Sequence, residues 1–171
     1  TGEVMGLADD LGMAFAKSQM AAQPGLPTSG NIFLSVKDHD KEAAAEIARK
    51  FIDFGFKIYS TAGTAGFLKE KGIPVTKTYK LSEGARPNVL DMVKNGEIQI
   101  IINTPSGMNP RIDENKIREE ALLSRVCMIT TIMGAYAALR GIEALKTKPI
   151  TVKSLQEYKE EIDAQRAKLE A

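Results

Sequence analysis

The segment Ser60-Thr61-Ala62-Gly63-Thr64-Ala65 joins the apolar run Phe56-Lys57-Ile58-Tyr59 to a stretch with helical patterning. Hydroxyls and backbone N–H groups therefore converge at a helix N-terminus. The unpaired amides of a first helical turn, the positive end of the helix dipole and the hydroxyls of Thr61 and Thr64 suit an anionic oxygen cluster such as a phosphate. Capping of the helix by Thr61 or Thr64 accounts for the same residues without any ligand, and the motif alone supports both readings.

The elements that must position this loop alternate regularly from Asn31 onward. Ile32 to Val36 reads as a strand, and Asp40 can cap a helix through Ala43, Ile47 and Phe51 that Gly55 stops. Phe56 to Tyr59 is the second strand, followed by a helix carrying Phe67 and Leu68 that ends at Gly72. Ile73-Pro74-Val75-Thr76 is a weaker strand, whose proline favours an edge. A loop from Leu81 to Pro87 precedes a short helix from Asn88 to Asn95. Ile98 to Asn103 is the clearest buried strand. Asp113 opens a helix to about Arg125, Val126 to Ile129 forms a strand, and Thr130 or Thr131 caps a helix through Tyr136 and Leu145. Such alternation predicts an α/β fold of three layers: a five-stranded, mainly parallel sheet with helices on both faces. Residues 1–30 form an amino-terminal helix and linker, 31–150 the α/β body and 151–171 a charged carboxyl-terminal helix that is a solvated face or a lid on one side of the sheet. The methionines Met5, Met13 and Met20 read as packing residues.

Composition narrows the classes. The chain has 171 residues, 43% of them hydrophobic, enough for one sizeable core. Twenty-three basic against 22 acidic side chains leave a net charge of +1, so no global field gathers nucleic acid or an anionic membrane. Any anion must be held locally. The single cysteine, Cys127, lies in the run Val126-Cys127-Met128-Ile129 and reads as a buried strand thiol in a reducing compartment rather than a nucleophile. No stretch approaches the roughly 18 apolar residues of a membrane span and no signal segment opens the chain, so a soluble, cytoplasmic protein is expected. The start at Thr1, without methionine, reads as that of a fragment or processed product.

In an open parallel sheet ligands bind beyond the carboxyl ends of the strands. Those positions hold Lys37, Asp38, His39, Asp40 and Lys41 after the first strand, and Thr61 and Thr64 after the second. Lys80 follows the third, Asn103, Thr104 and Ser106 the fourth, and Thr130 and Thr131 the fifth. Lysines, hydroxyls and one amide can thus converge on a phosphate monoester, each charge-assisted hydrogen bond contributing about 1.5 to 3 kcal/mol. Asn103 ends a run of isoleucines and offers donor and acceptor to a base or ribose. Neither Gly-x-Gly-x-x-Gly nor Gly-Lys-Ser/Thr occurs, and His39 is the only histidine, so no metal site is expected. Asp38, His39 and Asp40 read as a polar turn with a helix cap rather than an acid-base set. No catalytic residue is assigned.

In sequence the chain resembles the carboxyl-terminal, methylglyoxal-synthase-like allosteric domain of the carbamoyl-phosphate synthase large subunit. The resemblance runs over nearly its whole length. It rests on the order and spacing of Thr1-Gly2-Glu3-Val4-Met5-Gly6, Leu34-Ser35-Val36 with Asp40-Lys41-Glu42, Thr61-Ala62-Gly63-Thr64-Ala65, Glu83-Gly84 with Arg86-Pro87, Lys94-Asn95-Gly96-Glu97, and Ile101-Ile102-Asn103-Thr104 with Ser106-Gly107. It implies a methylglyoxal-synthase-like, Rossmann-type fold and regulation rather than catalysis within this chain: a nucleotide monophosphate such as UMP bound as feedback effector. Lys41, Thr61, Gly63, Thr64 and Lys80 would hold the phosphate, Asn103, Thr104 and Ser106 the ribose or base, and Thr130 would belong to a second effector site. The implied partners are the synthetase domains of the same subunit and a glutaminase small subunit. The domain itself takes no cofactor, while ATP, magnesium and bicarbonate serve the full ligase in pyrimidine and arginine synthesis. Two positions depart from the family pattern: Pro105 stands where relatives carry a hydroxyl, and Met128 where ornithine-activated enzymes carry a tyrosine.

Two relatives of the same fold fit less well. Methylglyoxal synthase, a lyase acting on dihydroxyacetone phosphate, ends the loop after its third strand in Gly-Gly-Asp. Here Arg86-Pro87 occupies that region, and Lys37 replaces the catalytic histidine. The IMP cyclohydrolase domain shares the Ser-Val strand and a threonine-glycine loop but lacks the opening Gly2 to Gly6. A pure interaction module is the third possibility.

Overall fold

Runs such as Ile100-Ile101-Ile102 lack polar alternation, which suits strands covered on both faces. The computed structural model describes residues 3–22, 24–104 and 112–169. Its strands are β1 (Asn31–Ser35), β2 (Lys57–Ser60), β3 (Thr76–Lys77), β4 (Ile100–Asn103) and β5 (Cys127–Ile129), and its helices α1 (Leu11–Ala22), α2 (Lys41–Asp53), α3 (Ala62–Glu70), α4 (Val89–Lys94), α5 (Ile112–Leu123), α6 (Ile132–Thr147) and α7 (Leu155–Leu169). The sheet is five-stranded, as the alternation predicts, and every pair is parallel, in the order β3-β2-β1-β4-β5.

Successive side chains of β1 and β4 enter two different cores. Ile32, Leu34, Ile100 and Ile102 pack with α1, α2, α3 and α6 on one face, whereas Phe33 and Ile101 pack with α4 and α5 on the other. All four residues of β4 are buried. Each fully buried large apolar side chain contributes about 1.5 to 3 kcal/mol, so β4 and the central β1, which buries Ile32, Phe33 and Leu34, are the strands that anchor the sheet.

Several local expectations are corrected. The third strand is not Ile73–Thr76 but the two residues Thr76–Lys77 at the sheet edge. Pro74 has no N–H for the ladder, and Ile73 serves instead as a buried anchor whose N–H donates to the Leu68 carbonyl at 2.9 Å. The amino-terminal helix starts at Leu11, where Asp10 caps it by accepting from the Met13 N–H at 3.0 Å. The Lys148 ammonium, 2.7 Å from Asp10, holds that carboxyl below the usual carboxylate range. Asp40 stands at the N-cap of α2 without a capping hydrogen bond; its carboxylate faces Lys37 at 3.7 Å and His39 at 3.4 Å. The α7 helix buries none of its residues, and its Tyr158 hydroxyl donates to the Leu7 carbonyl at 2.9 Å.

Helix α1 packs tightly on α6. Gly12 and Gly141 face the neighbouring element so closely that a Cβ on Gly12 would strike the Arg140 carbonyl and one on Gly141 would lie 2.6 Å from Leu26 Cδ1. Among the described residues no helix is long and apolar enough to cross a membrane.

Cys127 lies on β5 at 4% exposure, and burial pushes its thiol up to about 11. A reagent that needs the thiolate should therefore react with the folded protein at pH 8 far more slowly than with the urea-unfolded chain. Between pH 9 and 11 the unfolded chain releases this proton first, so stability falls as pH rises through that window, by about 2 to 3 kcal/mol at most. Urea titrations of the protein and of Cys127→Ala should diverge there and run parallel below pH 8.

Candidate functional site

The carboxyl ends of β1, β2 and β4, together with the segment after β3, surround one cavity of about 450 Å³. That volume suits a small-molecule ligand. Of the residues singled out from sequence, Lys37, Asp38, Lys41, Thr61, Gly63, Thr64, Lys80, Asn103 and Thr104 line it. Thr130, half-buried beyond β5, is not part of the lining, and Ser106 lies outside the described residues together with Pro105. The His39 side chain is 92% exposed and does not line the cavity either.

The threonines act across the sheet rather than as caps. Thr61 occupies the N-cap position of α3 with no capping hydrogen bond, its hydroxyl lying 3.2 Å from Ser35 Oγ. The Thr64 hydroxyl accepts from the Val36 N–H at 3.3 Å and donates to the Val36 carbonyl at 3.4 Å. Both side chains therefore brace the end of β1, and the first-turn amides of α3 keep their hydrogens for another acceptor. Gly63 has no heavy atom within 4 Å of where a Cβ would stand, which leaves backbone open to the cavity. The Thr104 hydroxyl accepts from the Lys37 N–H at 3.1 Å and so fixes the start of the lysine-bearing loop. Asn103 is 8% exposed and pairs in register with Ser35.

Lys41 is the first residue of α2, and its ammonium sits 2.8 Å from Asp38 Oδ1 and 5.8 Å from the Phe67 ring centre. The hydrogen bond and charge of Lys41 hold the Asp38 carboxyl below its usual range, so Asp38 is an anion competing for this ammonium at neutral pH. Asp38→Asn should strengthen binding of inorganic phosphate up to about fivefold, the worth of an exposed ion pair. Calorimetric titration checks this; weaker binding by the variant would contradict it.

Sequence reasoning missed Ser35, Ser82, Asp113 and Glu114, and the apolar floor of Phe33, Val89 and Ile117. Ser35 could have been found by reading the last residue of each strand rather than the loop after it. Asp113 and Glu114 stand in the first turn of α5, where acidic residues look like mere helix-dipole partners. Arg86 is turned away; it pairs with Asp91 and does not line the cavity. Among the described residues no group of three or more His, Cys, Asp or Glu side chains could hold a metal ion.

The family model described as the MGS-like domain matches residues 43–130, more than half of the chain. The chain belongs to the MGS-like domain family. This MGS-like domain is 48% identical over 160 residues to the carbamoyl phosphate synthase large chain of Gemmatimonas aurantiaca, covering 94% of the domain and 14% of the relative. The large chain of Acidobacterium capsulatum is 51% identical over 156 residues, with 91% and 14% covered, and that of Archaeoglobus fulgidus 47% over 162 residues, with 94% and 15% covered. The domain thus spans about 14 to 15% of the length of these relatives. In three dimensions it is similar to methylglyoxal synthase of Elizabethkingia anophelis, at TM-score 0.55 and 17% identity over 75% of the domain and 97% of that chain, which supports the fold.

Proposed function

We propose that this MGS-like domain is the regulatory part of a carbamoyl phosphate synthase large chain and binds a nucleotide monophosphate such as UMP as feedback effector. The observation that carries the reading is the cavity lined together by Lys41, Thr61, Thr64, Lys80 and Asn103. The phosphate sits against Lys41, Lys80, the two threonines and the amide at Gly63, while Asn103 and Thr104 face the ribose or base, with Ser106 following them in sequence. Thr130 belongs to a second effector site. The domain performs no chemistry of its own. ATP, magnesium and bicarbonate serve the synthetase domains, a glutaminase subunit supplies nitrogen, and the whole ligase works in the cytoplasm for pyrimidine and arginine synthesis.

The regulation must be differential binding: a nucleotide inhibits a remote site only by favouring one arrangement of the joint between domains, and coupling of about 1 to 3 kcal/mol suffices. Helix α1, tightly seated on α6, is the candidate element of that joint.

The test is a thermal-melt titration of the chain with UMP, IMP, inorganic phosphate and ornithine, alongside a turnover assay with dihydroxyacetone phosphate. A rise in Tm with UMP and no turnover is expected. Absence of a shift with every nucleotide would reject the reading, and turnover would move the domain to the lyases.

A further inference from the structure

We infer that α7 is a clasp on residues 3–10 and that the effector's influence on the rest of the ligase depends on it; the second half rests on the regulatory reading above. Helix α7 has no apolar seat. Leu155, Ile162 and Leu169 stay at the surface, and every described residue of the helix except Tyr158 is exposed. That one side chain makes a closed set of polar contacts. The Tyr158 hydroxyl donates to the Leu7 carbonyl at 2.9 Å and accepts from the Lys17 ammonium at 3.2 Å, and the same ammonium donates to the Leu7 carbonyl at 2.9 Å. Both lone pairs of that carbonyl are thus engaged. Lys17 and Lys153 also place their ammoniums 5.9 and 5.5 Å from the centre of the Tyr158 ring, and Lys153 donates to both carboxylate oxygens of Glu161 at 2.7 Å. Ser154 and Glu157 cap the helix reciprocally, at 2.6 and 3.2 Å, so the tyrosine stands on a fixed first turn.

The clasped segment is held on either side of Leu7 as well. A Cβ on Gly6 would lie 2.0 Å from the Ala14 carbonyl oxygen and 2.7 Å from Ser18 N, so the chain at this point runs directly on the backbone of α1. Asp10 is tied to Lys148 at the end of α6. A line of packed elements joins this arrangement to the cavity. Lys41 opens α2, α2 and α6 pack in one core, and α1 is seated on α6 through Gly12 and Gly141. Apolar burial would make the attachment of α7 permanent. Surface hydrogen bonds and cation–π contacts are individually weak, so α7 can release the entering chain and take it up again, and a coupling element needs two such positions.

Tyr158→Phe keeps the ring and removes the hydroxyl. In the 171-residue chain without nucleotide, chymotrypsin should cut at Met5 and Leu7 about two- to tenfold faster in this variant than in the parent. In the full-length large chain with its glutaminase subunit, UMP should bind variant and parent within about twofold, while the factor by which saturating UMP lowers synthesis should shrink at least about twofold. A large chain ending at Val152 lacks α7 but loses no buried residue, and it should lose inhibition in the same way. Unchanged cleavage overturns the clasp whatever the nucleotide does. Full inhibition in both Tyr158→Phe and the shortened chain overturns the coupling role, even where cleavage quickens. Failure of UMP to bind the parent overturns the regulatory reading and the coupling role together, and the cleavage rates still decide the clasp.

Discussion

Lys41→Ala is expected to erase at least about half of the melting-temperature rise that UMP gives the parent domain. At a hundredfold over its dissociation constant a ligand adds about 2.7 kcal/mol to a native state, which for a chain of this size raises Tm by roughly 5 to 10 °C. Removing one charge-assisted contact costs about 1.5 to 3 kcal/mol of binding, or some 10- to 150-fold in affinity. At the same UMP concentration the variant would then sit far closer to half saturation and shift by no more than about 5 °C, falling to about 1 °C at the upper cost. The control is Lys71→Ala. Lys71 lies over the same Phe67 ring, 5.3 Å from its centre, yet pairs with Glu42 and does not line the cavity. Its loss should leave the UMP shift intact; equal loss in both variants would show that Phe67 packing, not a phosphate contact, carries the effect.

Gly12→Ala should lower stability although it removes a glycine from a helix. Intrinsic propensity alone favours alanine by up to about 1 kcal/mol. Against that, the new methyl group would collide with the Arg140 carbonyl, a backbone atom that cannot rotate away. Overpacking costs about 1 to 3 kcal/mol and a clash with backbone belongs at the upper end, so about 1 to 2 kcal/mol remains after the propensity gain, a net fall in Tm of roughly 2 to 8 °C. Gly141→Ala should be milder: its methyl clashes with the tip of the Leu26 side chain, which can change rotamer, and meets the Gly12 carbonyl and Ala16 Cβ only at ordinary contact distances of 3.4 and 3.6 Å. A stabilised Gly12→Ala protein would mean that α1 is loosely seated on α6.

The legibility of this chain varies with how local each determinant is. The run Ile100 to Asn103 announces a strand buried on both faces, and its terminal amide stands out because it follows three consecutive isoleucines at the carboxyl end of that strand. Lys41, Thr61, Thr64, Lys80 and Asn103 are legible for the same reason: each follows or ends a strand, and the topology brings strand ends together. The threonine hydroxyls are harder to read. A Thr at a helix start looks like a cap, and only the adjacency of β1 and β2 reveals that Thr61 faces Ser35. Likewise α1 gives no clear periodic signal, because its seat on α6 depends on glycines that let backbones approach rather than on an apolar stripe. The acidic side of the cavity is hidden because Asp113 meets Ser82, a partner 31 positions away.

The strand order also bears on how the chain reaches its native state. β1 is the first strand made and the central one, and its two flanks are filled at very different times. Lys57–Tyr59 reach one side after a short crossover, but Ile100–Asn103 must arrive from the far half of the sequence to complete the other. Each half of the sheet is thus built outward from the same strand, and closing the longer loop costs more chain entropy before any ladder bond offsets it. On a ribosome, the bonding edge of Ile32 to Ser35 therefore stays open while some 65 further residues are added, at about 5 to 20 residues per second. For those seconds the nascent chain carries an unpaired apolar strand, and an interval of exposure to neighbouring chains is written into its topology.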